Sequence, residues 1–323
     1  MIFDEQISRK PDLYPWTNQY VKAMHDGFWT SDEFSFKSDI QDFKTTLTKQ
    51  EQEIVKRTLS AIAQIEVAVK KFWVKLGDNL PHPSITDLGI VMGNVEVIHN
   101  NAYEKLLNVL GLNHVFEENL KLDIICGRVN YLRKYNHKFY ADSKKQYIYS
   151  LILFTIFVEN VSLFSQFYII NWFNRYNNVL KDTSQQTAYT VKEELIHFLV
   201  GVKLVNTIRE EYPELFDKEL EERIIHESQQ ALESEFKIVD WMVNGYKQEN
   251  LTSDILKEFI KNRMNDSLAQ IGFKSAFEVN KELLEKTQWF DEEILGNNMS
   301  DFFHKKPTSY AKKSQVFCGE DLF

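Results

Sequence analysis

The chain has 323 residues, 43% of them hydrophobic, enough to bury a sizeable core as one large domain or two ordinary ones. Its net charge of −9 argues against a surface built to neutralise nucleic-acid phosphates and leaves carboxylates available for metals. With only 11 Gly and 6 Pro, and no Pro between Pro83 and Pro213, the composition favours long helices over many turns.

Residues 1–40 read as an irregular extension. Thr48 and Glu51 then form a T-x-x-E capping box, opening a helix whose apolar residues Ile54, Leu59, Ile62, Ile65, Val69 and Phe72 recur at spacings of three and four. "GDNLPHPS" breaks it. A second helix is expected from near Ser84 to about Leu110, followed by an amphipathic segment over 115–137. The apolar run "YSLILFTIFVENVSLFSQFYIINWF" resembles a membrane span in composition, but Glu159, Asn160 and Gln166 interrupt its middle. A core helix over 145–173 and no membrane insertion are therefore expected. A fourth core helix covers 185–211 and stops before Pro213, and two more occupy 215–245 and 253–272. No strand pattern or linker is evident. The layout is an extension over 1–40, a helical domain over 41–290 and a tail over 291–323. Cys126 and Cys318 form no CxxC, and the start "MIFDEQISRKPDLYPW" lacks the pattern of a signal or transit peptide, so a reducing cytoplasm is expected.

Glu-x-x-His occurs twice and nowhere else, at Glu96/His99 and Glu194/His197. On a helix, residues three apart share a face, so each pair can converge on one ion. The turn of the first hairpin centres near Pro81. Glu96 lies 15 residues after it and Glu66 15 before it. At a rise of about 1.5 Å per residue both stand roughly 22 Å from the turn. In the second hairpin the midpoint between Glu159 and Glu194 falls at residues 176–177, inside a polar break. Each hairpin thus offers a lone Glu and a Glu-x-x-His at matched height. Four carboxylates and two imidazoles suit two divalent cations, whose four positive charges balance the four negative ones.

Two lone Glu and two Glu-x-x-His form the ligand pattern of ferritin-like di-iron and di-manganese bundles. The fold class expected is all-α, a ferritin-like bundle with additional helices and irregular extensions at both ends. Tyr103 lies one turn beyond His99 on the ligand face. "EVIHNNAY" and "KEELIH", with Glu66 and Glu159, resemble the small, radical-generating subunit of class I ribonucleotide reductase. "HDGFWTSDEF" resembles that family's Phe-Trp segment, and "DFFHKKPTSYAKK" its Phe-Phe…Tyr tail; the likeness extends from about residue 15 to 323.

The resemblance implies that Glu66, Glu96 and His99 bind one metal and Glu159, Glu194 and His197 the other, with bridging carboxylates. It implies Tyr103 as the radical tyrosine, His99, Glu193 and Trp29 as the route by which the oxidising equivalent leaves, and Tyr310 as its relay in the tail. It further implies a homodimer, a large-subunit partner engaged through the C-terminal tail, and an activating flavoprotein. The large subunit reduces the ribonucleotides; this chain supplies the oxidant. Glu193 is a methylene longer than the Asp usual before the second Glu-x-x-His, which puts a hydrogen-bonded route to Trp29 in question. Glu66, where many members carry Asp, resembles the manganese-using branch. Lys70, one turn after Glu66, pairs with that carboxylate or a bound anionic oxidant, or else snorkels at the core edge. Mn/Mn, Fe/Fe and Mn/Fe all suit such ligands. Whether Tyr103 or the metal pair is the oxidant stays open, and a ferritin-like dimetal oxidase or iron-handling protein is the rival function. The other histidines have no ligand spacing, and His226 with Glu222 reads as a surface pair.

Overall fold

The structure, a computed structural model, describes residues 1–296 apart from the side chains of 66–69 and 295–296; Tyr310, Cys318 and the tail segment 317–323 lie outside the described residues. Among the described residues there are helices and no strands, only an isolated bridge between Gln248 and Leu251.

Helix α1 spans Thr17–Asp26, inside the stretch expected to be irregular, and buries Thr17, Tyr20 and Met24 at spacings of three and four. Helix α2 spans Lys49–Val74 and opens with the expected box: Glu51 N donates to Thr48 Oγ1, while Thr48 N donates to Glu51 Oε2 at 2.8 Å. After a short turn, α3 (Pro83–Val109) begins with Pro at a position where no N–H is needed. The two helices pack along much of their length. Close approach is possible because α3 carries Gly89 and Gly93: a Cβ there would stand 2.5 Å from the Trp73 carbonyl oxygen or 2.3 Å from Val74 Cγ2.

Helix α4 (Asp123–Leu132) leads to the second hairpin. Its first arm runs as α5 (Ser143–Leu153), a π-helical segment (Phe154–Ser162) and α6 (Phe164–Asn177). By length and hydropathy the whole arm, Ser143–Asn177, is able to cross a membrane, but 94% of its apolar window is buried inside the fold, as a core helix requires. Asn178 and Leu180, both in the left-handed region, turn the chain into α7 (Lys181–Glu211). Helices α8 (Lys218–Val243) and α9 (Ser253–Gln270) complete the packing: α8 lies against α4 and α2, and α9 against the π segment. The start of α7 is held from outside. Asp39, fully buried, accepts hydrogen bonds from Thr183 N (2.7 Å), Thr183 Oγ1 (2.7 Å) and Asp182 N (3.2 Å). A carboxylate at that end satisfies orphan N–H groups and complements the helix dipole.

Candidate metal centre

Three elements converge in the core. Helix α3 carries Glu96 and His99, α7 carries Glu194 and His197, and the π segment carries Glu159; all five are buried. Ligand atoms of Glu96, Glu159, Glu194 and His197 all lie within 4.8 Å of one another. His197 Nδ1 stands 2.8 Å from Glu96 Oε1, 3.5 Å from Glu159 Oε2 and 3.8 Å from Glu194 Oε2. His99 Nδ1 stands 3.1 Å from Glu194 Oε1 and 3.5 Å from Glu96 Oε2. Glu96 and Glu194 therefore each present one oxygen to each histidine, the arrangement suited to carboxylates shared between two ions. The backbone of Glu66 lies on α2; its side chain is outside the described residues.

Burial opposes ionisation of Glu96, Glu194 and His197, and their neighbours decide the outcome. At Glu96 the imidazoles of His197 and His99 outweigh burial and bring the carboxyl down to about 2. Burial lowers the His197 imidazole, but the Glu96 and Glu159 carboxylates outweigh it and raise the group to about 9. At Glu194, burial and repulsion from Glu96 and Glu159 act together, and its carboxyl is pushed well above the usual range. Both oxygens of Glu96, one each of Glu159 and Glu194, and both nitrogens of His197 are buried without a well-aligned hydrogen bond. Buried polar atoms are ordinarily satisfied. Orphaned carboxylate oxygens and imidazole nitrogens around one point form a donor set that fits divalent cations, which replace the protons otherwise needed to keep the cluster together.

The backbone around Glu159 is held by two buried arginines. A π segment leaves carbonyls outside the regular ladder. Arg128 on α4 donates to the carbonyl oxygens of Ser162 and Ala61 and, through Nε, to Glu235 Oε1 at 2.9 Å. Arg263 on α9 donates through Nε to the Asn160 carbonyl oxygen at 2.8 Å and also to its side-chain oxygen, its guanidinium lying over the Phe164 ring.

A hydrogen-bonded chain leaves the cluster on the α1 side. Trp29, fully buried, donates from Nε1 to Glu193 Oε2 at 2.8 Å, and the same oxygen stands 2.7 Å from His99 Nε2. With Nδ1 facing the carboxylates, the His99 tautomer protonated at Nε2 donates to Glu193. The longer Glu193 side chain thus reaches both partners. Tyr103, also buried, donates to Thr190 Oγ1 at 3.1 Å, and Thr190 donates in turn to the Gln186 carbonyl oxygen. Lys70 Nζ, half-buried, donates to Asn100 Oδ1 at 3.2 Å. Sequence reasoning missed Trp73, Asp39, Arg128, Arg263 and Thr190. None has a distinctive spacing; each acts on the site through a partner remote in sequence.

Comparison with known proteins adds a family to this geometry. The family model described as "Ribonucleotide reductase, small chain" matches residues 7–294. A probable ribonucleoside-diphosphate reductase small subunit of Invertebrate iridescent virus 3 is 23% identical, over 96% of this chain and 85% of its own. The ribonucleoside-diphosphate reductase subunit beta of Halalkalibacterium halodurans is also 23% identical, over 93% of this chain and 87% of its own. Among solved structures, the ribonucleotide reductase R2 subunit from Clostridium botulinum superposes with a TM-score of 0.78 at 19% identity, covering 86% of this chain and 87% of that one. A variant of an R2-like ligand-binding oxidase with a reconstituted Mn/Fe cofactor gives 0.69 at 17% identity, covering 82% of this chain and 96% of that one.

Proposed function

The chain belongs to the ribonucleotide reductase small-chain family, and from that premise we propose that it is the small subunit of a ribonucleoside-diphosphate reductase, providing the oxidant its large subunit uses. The observation that carries this reading is the pairing of the buried carboxylate–histidine cluster with the Trp29–Glu193–His99 chain. A metal-storing protein has no use for the second. In this reading Glu66, Glu96 and His99 would hold one ion and Glu159, Glu194 and His197 the other, with Glu96 and Glu194 placed to be shared between them. Bound there, the metal pair supplies one-electron oxidising power drawn from an oxygen species. Glu193 aligns the His99 imidazole and accepts the Trp29 N–H, so electron and proton have a continuous path between the indole and the cluster. Either Tyr103, its phenol oriented by Thr190, or the metal pair itself carries the oxidising equivalent.

The same reading assigns Tyr310 as the relay and 317–323 as the segment docking to the large subunit. Phe317, Leu322 and Phe323 flank Gly319, Glu320 and Asp321, an apolar-acidic composition suited to a partner's groove. A homodimer in the cytoplasm belongs to this reading. The metals are Mn/Mn or Fe/Fe, and an activating flavoprotein joins the scheme on the manganese branch.

The test loads the full chain with Mn(II) or Fe(II), measures ions per chain, and assays nucleoside-diphosphate reduction with and without the large subunit. Two ions per chain and turnover that requires both subunits are expected. Metal loading without turnover in the presence of the partner would favour an oxidase. Full two-ion binding by Glu194→Ala or His197→Ala would overturn the ligand assignment. Tyr103→Phe then separates the oxidants: loss of turnover identifies the tyrosine, and retained turnover the metal pair itself.

A further inference from the structure

A second indole touches the cluster, at Glu159 and His197 rather than at His99. Trp73 occupies the last turn of α2 and is fully buried. Its Nε1 donates to Glu159 Oε1 at 2.8 Å, and its ring lies 6.0 Å from the His197 imidazole. The indole has little freedom. Phe72 and Phe154 meet it edge-on at 5.2 and 5.4 Å, and its backbone carbonyl is pressed against α3 at Gly89.

The two oxygens of Glu159 consequently differ. Oε1 is taken by the indole, whereas Oε2 faces His197 Nδ1 at 3.5 Å with no hydrogen bond of its own. A carboxylate with both oxygens free can clasp an ion with two; one whose far oxygen is tied to an immobile donor offers one. Donors behind metal ligands set ligand orientation, and their loss typically weakens metal binding by about 10–100-fold.

We propose that Trp73 is a positioning residue that fixes Glu159 as a one-oxygen ligand and thereby sets the affinity and geometry of the ion nearest His197. The proposal rests on the dimetal reading above. It assigns the two indoles at the cluster different tasks: Trp29 connects to His99 through Glu193, whereas Trp73 acts directly on a carboxylate of the cluster.

The experiment compares the full-length parent with Trp73→Phe, which keeps an aromatic ring in the space and removes the donor. Mn(II) is titrated by equilibrium dialysis, and the bound Mn(II) is examined by electron paramagnetic resonance. In the variant one of two binding steps should weaken by about 10–100-fold, with an altered spectrum of the bound ion, while the other step stays in place. A role in packing alone would lower the thermal midpoint and leave both binding constants and the spectrum of the folded protein unchanged, which overturns the proposal. Should Trp73→Phe not fold, the parent itself is titrated with Zn(II) and its indole N–H resonances followed, the other five tryptophans being assigned by single replacement. The Trp73 resonance should shift as the ions bind; a resonance indifferent to loading overturns the proposal. If the parent binds no pair of ions, the dimetal reading fails first, which distinguishes the two failures.

Discussion

Gly201 lies on α7 one turn beyond His197, and Thr155 lies in the π segment one turn before Glu159. A Cβ at position 201 would stand 2.2 Å from Thr155 Oγ1, 2.4 Å from Cγ2 and 2.8 Å from Cβ. Thr155 is fully buried, short and β-branched, so no rotamer clears the contact. Helix propensity favours Gly201→Ala by about 1 kcal/mol. Overpacking a filled core costs about 1–3 kcal/mol, and the backbone-proximal Cβ contact puts this case at the upper end. The expected net loss is therefore about 1–2 kcal/mol, or a fall of roughly 1.5–3 °C in thermal midpoint for a chain of this length. Relief of the clash requires α7 and the π segment to separate by about 1 Å, which moves His197 from Glu159 and weakens metal binding. Thermal unfolding of the metal-free variant and a metal titration read the two effects. In a Thr155→Ala background two of the three clashing atoms are gone, and the cost of Gly201→Ala should shrink by more than about 0.5 kcal/mol. A Gly201→Ala protein more stable than the parent by about 1 kcal/mol in both backgrounds would refute the steric argument and leave propensity in charge.

Asp39→Ala strips three hydrogen bonds from the start of α7 and should cost about 1–2 kcal/mol in denaturant unfolding, with Asp39→Asn in between; an unchanged midpoint would mean that water replaces the cap. Arg128→Met leaves Glu235 buried without its partner and should cost about 3–5 kcal/mol. Burial raises the Glu235 carboxyl and Arg128 only partly offsets it, so the folded variant binds the proton more tightly than the unfolded chain does; its stability should fall as pH rises past the ordinary carboxyl range, and a rise would contradict this sign. Trp29→Phe removes the donor to Glu193 but not a ligand, so it should retain both ions and lose turnover with the large subunit; retained turnover would exclude the indole from the route.

What the sequence determined by itself had a short period, although helix α1, with Thr17, Tyr20 and Met24 at spacings of three and four, was too short to stand out from the extension around it. The 3.6-residue repeat marks the long helices, Thr48 and Glu51 mark the start of α2, and each Glu-x-x-His pair puts a carboxylate and an imidazole on one helix face. Such features survive in a linear reading because helical geometry is the same wherever a helix occurs. The tertiary structure alone decided which atoms meet across helices. His99 faces Glu194 as well as its own Glu96, Glu193 reaches both His99 and Trp29, and Trp73 ties one oxygen of Glu159. These contacts join residues 94, 164 and 86 positions apart for His99–Glu193, Trp29–Glu193 and Trp73–Glu159, and they depend on the rotation of each helix about its axis. That rotation is set by close approach at Gly89, Gly93 and Gly201 and by the unwound turn from Phe154 to Ser162, held at its carbonyls by Arg128 and Arg263. No local pattern encodes it, because its energy lies in side chains that meet only once the helices have packed.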